Sequence, residues 1–265
     1  MRVTPIKVQK VSFKSINNLV KKQRYENYEN HPVLSNSNVN FFSNYTKFFR
    51  TDIAGSWKKF LDVVDSHFKD AEKVNVYCFG CSDGSEPYSF AMGMLNKKGG
   101  KNIKKYTPIM AYDIDSEMIR TAQKGWLPCS KNDKIRINSN TSLTRFLCNI
   151  VEVPRDEKYP YRFQPLDRVK NLIDFQVGDF SEKLEDIEPC NNLVMCRNFW
   201  YYLGTDKIPE IVKKLSSKID ETSLVVIGDF DRTYVLDAFR DAGFEEVVLN
   251  VFKKKSNWFF NIDKL

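Results

Sequence analysis

The fold is decided by residues 74–92, which read VNVYCFGCSDGSEPYSFAM. An apolar run over 74–79 is typical of a strand buried on both faces. A small-residue turn, Gly80 to Gly84, follows it, and Pro87 suits the first turn of a helix. The stretch therefore predicts a strand–turn–helix unit whose glycines let the backbone come close to a ligand.

The turn matches neither of the common phosphate-binding patterns. No lysine follows as in GxxxxGK[ST], and the glycine spacing is not GxGxxG. The pattern disfavours a phosphate cradle and indicates a ligand that is held without one.

The rest of the chain alternates strand and helix patterns around this unit. We predict further strands and helices at the following positions: strands over 107–112, 172–177, 192–196 and 224–227, and helices over 52–69, 86–95, 116–125, 208–215 and 235–242. A closing hairpin is predicted from 246–252 and 258–262, and 143–153 as a helix or lid. Alternation of this kind is typical of an α/β fold with a mostly parallel sheet flanked by helices.

Polar and aromatic side chains follow the predicted strands, at the edge where such sheets bind ligands. Asp113 ends the second strand, where a carboxylate accepts from both hydroxyls of a ribose. Asp179 and Phe180 follow the third, placed to accept from an adenine amino group and to cover its ring. Arg197 and Asn198 follow the fourth. This order predicts a nucleoside ligand, and S-adenosylmethionine is the candidate.

Composition and charge disfavour several other classes of function. The 265 residues carry a net charge of +7, but the lysines are scattered, as on a solvated surface. Two isolated histidines and one CxxC (Cys78 and Cys81) predict no metal site, and Cys78 lies in a predicted buried strand, which disfavours redox chemistry. Unpaired cysteines, no secretory signal and no membrane-length apolar run predict a cytoplasmic protein without membrane insertion.

Four segments resemble the chemotaxis-receptor glutamate O-methyltransferases, the CheR family. They are GCSDGSEPYSFAM, AYDIDSEMIRTAQKG, NYTKFFR (residues 44–50) and VMCRNFWYYL. The resemblance covers about residues 40–230. It implies a Rossmann-like S-adenosylmethionine methyltransferase fold over 41–265 with a C-terminal antiparallel hairpin, preceded by a short basic segment over 1–40 as a reduced N-terminal domain.

The resemblance also assigns a cofactor site. Gly80 and Gly84 would let the backbone pass the methionyl part, and Glu86 would meet its amino end. The remaining expected cofactor residues are Asn44, Thr46, Arg50, Asp113, Asp179, Phe180, Arg197 and Asn198. Arg50 and Tyr202 are the expected catalytic residues. A glutamate carboxylate is already ionised at neutral pH and needs orientation rather than a general base.

Departures from the family pattern leave the acceptor open. Few residues precede NYTKFFR. A Gly-Asp-Phe-Asp run (228–231) stands where the family usually has G-H-S-E. No β-hairpin insertion for a receptor tail is evident in the sequence. We expect methyl transfer to protein glutamates, with the cytoplasmic part of a chemoreceptor as partner and a monomeric enzyme. The alternatives are another protein or small-molecule acceptor, or a non-catalytic S-adenosylmethionine-binding sensor or interaction module. A nucleic-acid partner is not expected, because no N-P-P-Y motif follows the fourth strand.

Overall fold

The structure is a computed structural model that describes residues 48–49, 53–153 and 158–256. The predicted segment 1–40, the residues Asn44, Thr46 and Arg50, and the predicted strand 258–262 lie outside the described residues. The helices and strands run in the order α1 (Trp57–His67), β1 (Asn75–Phe79), α2 (Ser85–Asn102), β2 (Ile109–Asp113), α3 (Ser116–Lys124), β3 (Leu127–Cys129), α4 (Lys131–Asn140), α5 (Thr144–Leu147), β4 (Cys148–Glu152), β5 (Tyr161–Pro165), α6 (Asp167–Lys170), β6 (Ile173–Val177), α7 (Phe180–Lys183), β7 (Asn192–Cys196), α8 (Ile208–Lys218), β8 (Leu224–Val226), α9 (Arg232–Asp241), β9 (Phe244–Val248) and β10 (Val251–Lys254).

Seven strands form the main sheet in the order β6-β2-β1-β7-β8-β10-β9. The first five are parallel, and β10 runs antiparallel to both of its neighbours. The predicted mostly parallel sheet with a C-terminal antiparallel hairpin is confirmed. Because the chain steps outward from β1 to β6 and then returns to the other side of β1, the strand order reverses between β1 and β7. Ligands of open α/β sheets bind at such a switch point, beyond the carboxyl ends of the strands.

The two faces of the sheet carry separate apolar layers, because successive side chains of a strand point to opposite faces. Val76 and Cys78 of β1 pack into the layer that contains α1 and α2. Tyr77 and Phe79 pack into the layer that contains α8 and α9. Helices on both faces explain why β1 reads as a continuous apolar run rather than an alternating one.

A second, three-stranded antiparallel sheet is inserted between α3 and β6, in the order β3-β5-β4. No β-hairpin insertion for a receptor tail was evident in the sequence, but β4 and β5 do pair as an antiparallel hairpin. The expected helix or lid over 143–153 is also corrected to the short α5 followed by β4. β5 does alternate, with apolar Tyr161 and Phe163 flanking polar Arg162, but strands of three to five residues are too short for periodicity alone to predict them.

The helix expected over 116–125 is present as α3, and one boundary near the C-terminal end differs from the expectation. Asp115 caps α3, because its side chain accepts from the backbone N–H of Glu117 and Met118. The predicted single strand over 246–252 is instead the hairpin itself, which turns at Leu249 and Asn250. Asn250 adopts a φ of 64°, a conformation that asparagine tolerates better than most residues.

Candidate cofactor-binding site

The loop after β1 is shaped by two glycines with positive φ, Gly80 at 64° and Gly84 at 87°. A Cβ on Gly80 would lie 2.7 Å from Cδ1 of Phe199. The absence of a side chain at Gly80 therefore lets the loop that follows β7 pack against it. A Cβ on Gly84 would lie 2.9 Å from Cβ of Ala122 and 3.0 Å from Cζ of Phe175. Gly84 therefore allows α2 to pack closely against α3 and β6, and its expected role beside the cofactor stays a prediction.

Glu86 and Arg197 form a buried ion pair across the switch point. Nη1 of Arg197 donates to Oε2 of Glu86 at 3.0 Å, and the two side chains are only 1% and 6% exposed. Glu86 lies in the first turn of α2, and Arg197 directly follows β7. The two predicted cofactor residues thus come together, although 111 positions separate them. A fork of donors and a carboxylate at this place provide groups for the two charged ends of an amino acid.

Asp113 lies at the carboxyl end of β2 and fixes the loop beside it. Its Oδ2 accepts from the Ser82 N–H at 2.8 Å and its Oδ1 from the Asp115 N–H at 2.9 Å. Burial raises the pKa of Asp113 to about 6, and the two backbone donors oppose that rise. A carboxylate has about four acceptor positions, so Asp113 keeps capacity for ribose hydroxyls beyond these two bonds.

Asp179 and Phe180 lie after β6, as predicted, but both side chains also make contacts that stabilise the fold. Asp179 caps α7 and accepts from the backbone N–H and the hydroxyl of Ser181. Phe180 is only 7% exposed and makes edge-on contacts with Phe199 and Trp200, at centroid distances of 5.0 and 5.3 Å. Their roles toward adenine stay predictions.

The loop after β7 carries Asn198 and leads into the turn that contains Tyr202. Asn198 has a φ of 60°, and its backbone N–H donates to Oδ2 of Asp231 at 2.5 Å. Tyr202 is 7% exposed, and its hydroxyl oxygen accepts from the Tyr201 hydroxyl at 2.5 Å. Sequence reasoning missed Asp231, although an acid at the fourth position of the G-H-S-E-like segment was a signal that pointed to it.

Two phenylalanines of the NYTKFFR segment are described, and both pack into the apolar layer that contains α1 and α2. Phe48 and Phe49 are almost completely buried. The Phe49 N–H donates to Oγ of Ser89, one turn into α2, at 3.1 Å. This contact ties the segment to the helix that follows the glycine loop. Asn44, Thr46 and Arg50 themselves are outside the described residues.

Other features of the described chain do not suggest a competing site. No three His, Cys, Asp or Glu side chains come together there as a metal ion would require. In the same ranges, no helix is both long and apolar enough to cross a membrane. A cavity of about 550 Å³ beside Asp65, Lys98 and Tyr106 lies at the amino ends of the strands, away from the ligand-binding edge.

Comparisons with known proteins identify the family of the chain. Residues 44–245 match the family model described as CheR methyltransferase, SAM binding domain. A curated chemotaxis protein methyltransferase of Borreliella burgdorferi is 23% identical over 191 residues. That alignment covers 70% of this chain and 63% of the relative, so the chain spans less than two thirds of the relative's length.

Solved methyltransferases resemble the structure only distantly. A TehB-like SAM-dependent methyltransferase of Corynebacterium glutamicum is 14% identical with a TM-score of 0.38, covering 91% of this chain and 99% of the other. A precorrin-6y C5,15-methyltransferase of Geobacter metallireducens is 10% identical with a TM-score of 0.40, covering 75% and 76%. Scores this low carry no argument about function. The family match, the reversed strand order and the glycine loop together show that the chain belongs to the CheR methyltransferase family and contains its S-adenosylmethionine-binding domain.

Proposed function

We propose that this protein transfers the methyl group of S-adenosyl-L-methionine to a carboxylate, releasing S-adenosyl-L-homocysteine. The acceptor we propose is a glutamate side chain of a protein. The observation that carries the proposal is the family match over residues 44–245, which spans every strand-end motif described above. The buried Glu86–Arg197 pair at the switch point supports it.

Methyl transfer requires the protein to orient the two reactants and to exclude water from the site. Transfer from a sulfonium is an in-line displacement, in which the carboxylate oxygen forms the new bond as the bond from sulfur to methyl breaks. An ionised carboxylate is the nucleophile, so no residue needs to remove a proton. Arg50 would orient the carboxylate through its fork of donors.

Tyr202 is the second proposed catalytic residue. Its hydroxyl is hydrogen-bonded to that of Tyr201, and a phenol can both donate and accept. We propose that the Tyr202 hydroxyl donates a hydrogen bond to the acceptor carboxylate. A hydrogen bond to a charged group contributes about 1.5–3 kcal/mol, so its loss is expected to reduce kcat/KM about 10- to 100-fold.

The partner we propose is the cytoplasmic part of a chemoreceptor, because the curated relative is a chemotaxis protein methyltransferase. We also propose a cytoplasmic monomer. The six cysteines all lie in the described part of the chain and form no disulfide, which supports a reducing compartment.

The test uses S-adenosylmethionine with a labelled methyl group and a purified cytoplasmic chemoreceptor fragment as the probe. A methyl ester is expected, and mild base should release its label as methanol. Tyr202→Phe should lose turnover while Tyr201→Phe, the matched control, keeps most of it. Arg50→Lys should lose turnover although the positive charge remains, because lysine is a point charge and not a fork.

Three results would contradict the proposal. A base-stable product would indicate an amine acceptor and remove the reason for giving Arg50 its role. Transfer to a different protein or to a small molecule, with none to the fragment, would refute the chemoreceptor partner. Cofactor binding without transfer to any carboxylate acceptor would favour a sensor or interaction module.

A further inference from the structure

A buried carboxylate joins the loops that follow β7 and β8. Asp231 is completely buried. Its Oδ2 accepts from the N–H groups of Asn198 at 2.5 Å and Gly228 at 2.8 Å, and its Oδ1 accepts from the Trp200 N–H at 3.2 Å. Hydrogen bonds to an ionised acceptor are about twice as strong as neutral ones. One side chain therefore fixes two loops relative to each other.

The loop that Asp231 holds is one wall of the crevice at the switch point. Arg197 reaches from this wall to Glu86 on the opposite side. Phe199 packs where a Cβ on Gly80 would be, so the loop also contacts the glycine turn after β1. Because Arg197 and Phe199 flank Asn198 in the same short loop, a shift of this loop would disturb both contacts at once.

The charge on Asp231 is what allows it to satisfy three donors. Burial raises its pKa to about 6, while the three N–H donors and the Arg197 guanidinium act in the opposite direction. The nearby Cys196 thiol has its own pKa raised by burial and stays neutral. At neutral pH the ionised form prevails, and both oxygens accept. An asparagine would offer one accepting oxygen and point an N–H₂ group at backbone donors.

We propose that Asp231 is a positioning residue for the cofactor pocket. Without contacting the cofactor, it holds the loop from Arg197 to Trp200 in the geometry that binds S-adenosylmethionine. This inference rests on the placement of the cofactor at the switch point, and not on the identity of the methyl acceptor.

The test measures the Kd of S-adenosylhomocysteine by calorimetric titration for Asp231→Asn. Loss of one charged hydrogen bond from the loop is expected to weaken binding about tenfold. The matched control is Asp229→Asn, the same chemical change two residues away on an exposed side chain that accepts from Nδ2 of Asn250. Its Kd should stay within about twofold of the wild type.

A second control separates positioning from general stability. Val64→Ala removes buried methyl groups from α1, which packs on the face of the sheet opposite to α8 and α9. This substitution should lower the melting temperature without changing the Kd. The inference is refuted if Asp231→Asn melts at a lower temperature but binds normally, or if Val64→Ala weakens binding as much. Wild-type protein that does not bind S-adenosylhomocysteine would refute the cofactor placement and the inference with it.

Discussion

Replacing Asp83 with asparagine should affect the stability of this protein more favourably at neutral pH than at acidic pH. Asp83 lies in the glycine loop after β1 and is completely buried. Its Oδ1 accepts from the N–H of Ser85 at 3.0 Å and from its hydroxyl at 2.6 Å. Its Oδ2 is buried without a hydrogen-bond partner. Half of this carboxylate is therefore desolvated without compensation.

The size of the effect follows from the pKa of Asp83. Burial raises that pKa from 3.8 to about 6, and the carboxylates of Asp133 and Asp113 act in the same direction. Each pKa unit corresponds to about 1.4 kcal/mol, so the charged form costs the folded state about 3 kcal/mol. The folded state binds the proton more tightly than the unfolded state. The favourable contribution of Asp83 is thus fully present below about pH 4 and is lost as the pH rises through about 6.

The assay is urea unfolding of the wild type and Asp83→Asn at about pH 4.5 and about pH 7.5. The amide keeps the Oδ1 acceptor and buries an N–H₂ group, a cost that does not depend on pH. The change in the free energy of unfolding caused by the substitution should be more stabilising at the higher pH by about 2 kcal/mol. Comparing the two pH values removes the constant cost of the amide.

The matched control is Asp70→Asn, on an exposed side chain three residues beyond α1, which should show no such difference between the two pH values. The reasoning is refuted if Asp83→Asn changes stability equally at both pH values. That result would mean that Asp83 titrates near its ordinary pKa, and that water reaches Oδ2.

Three other substitutions test the site. Gly84→Ala should destabilise the fold by about 1–3 kcal/mol, more than the control Gly55→Ala. Both glycines have a positive φ, but only a Cβ on Gly84 would meet neighbouring atoms. Equal losses of stability in thermal unfolding would contradict this prediction. Arg197→Met should cost about 1–3 kcal/mol in urea unfolding, because it removes the guanidinium hydrogen bond to the buried Glu86 carboxylate. Adding Glu86→Gln should recover part of the loss, and no recovery would mean that the charge was not the cause. Asp113→Ala should weaken S-adenosylhomocysteine binding by about 1–3 kcal/mol, and an unchanged Kd in calorimetry would restrict Asp113 to holding its loop.

Local patterns in the sequence were sufficient for the parts of the fold that local physics dictates. The apolar run before Gly80 predicted the central strand, since a strand covered by helices on both faces has no polar side to show. The acid after β2 predicted where a carboxylate would lie, because every parallel strand brings its carboxyl end to the same edge. The fold class and the edge that carries the site therefore followed from the sequence.

Tertiary structure alone decided which side chains meet. Arg197 and Glu86 are paired because β1 and β7 are neighbours in the sheet, and no local pattern encodes which distant strands become neighbours. The three donors of Asp231 come from two loops that only the strand order brings together. The residue type shows that an acid is present, but its burial, its raised pKa and its partners depend on long-range packing.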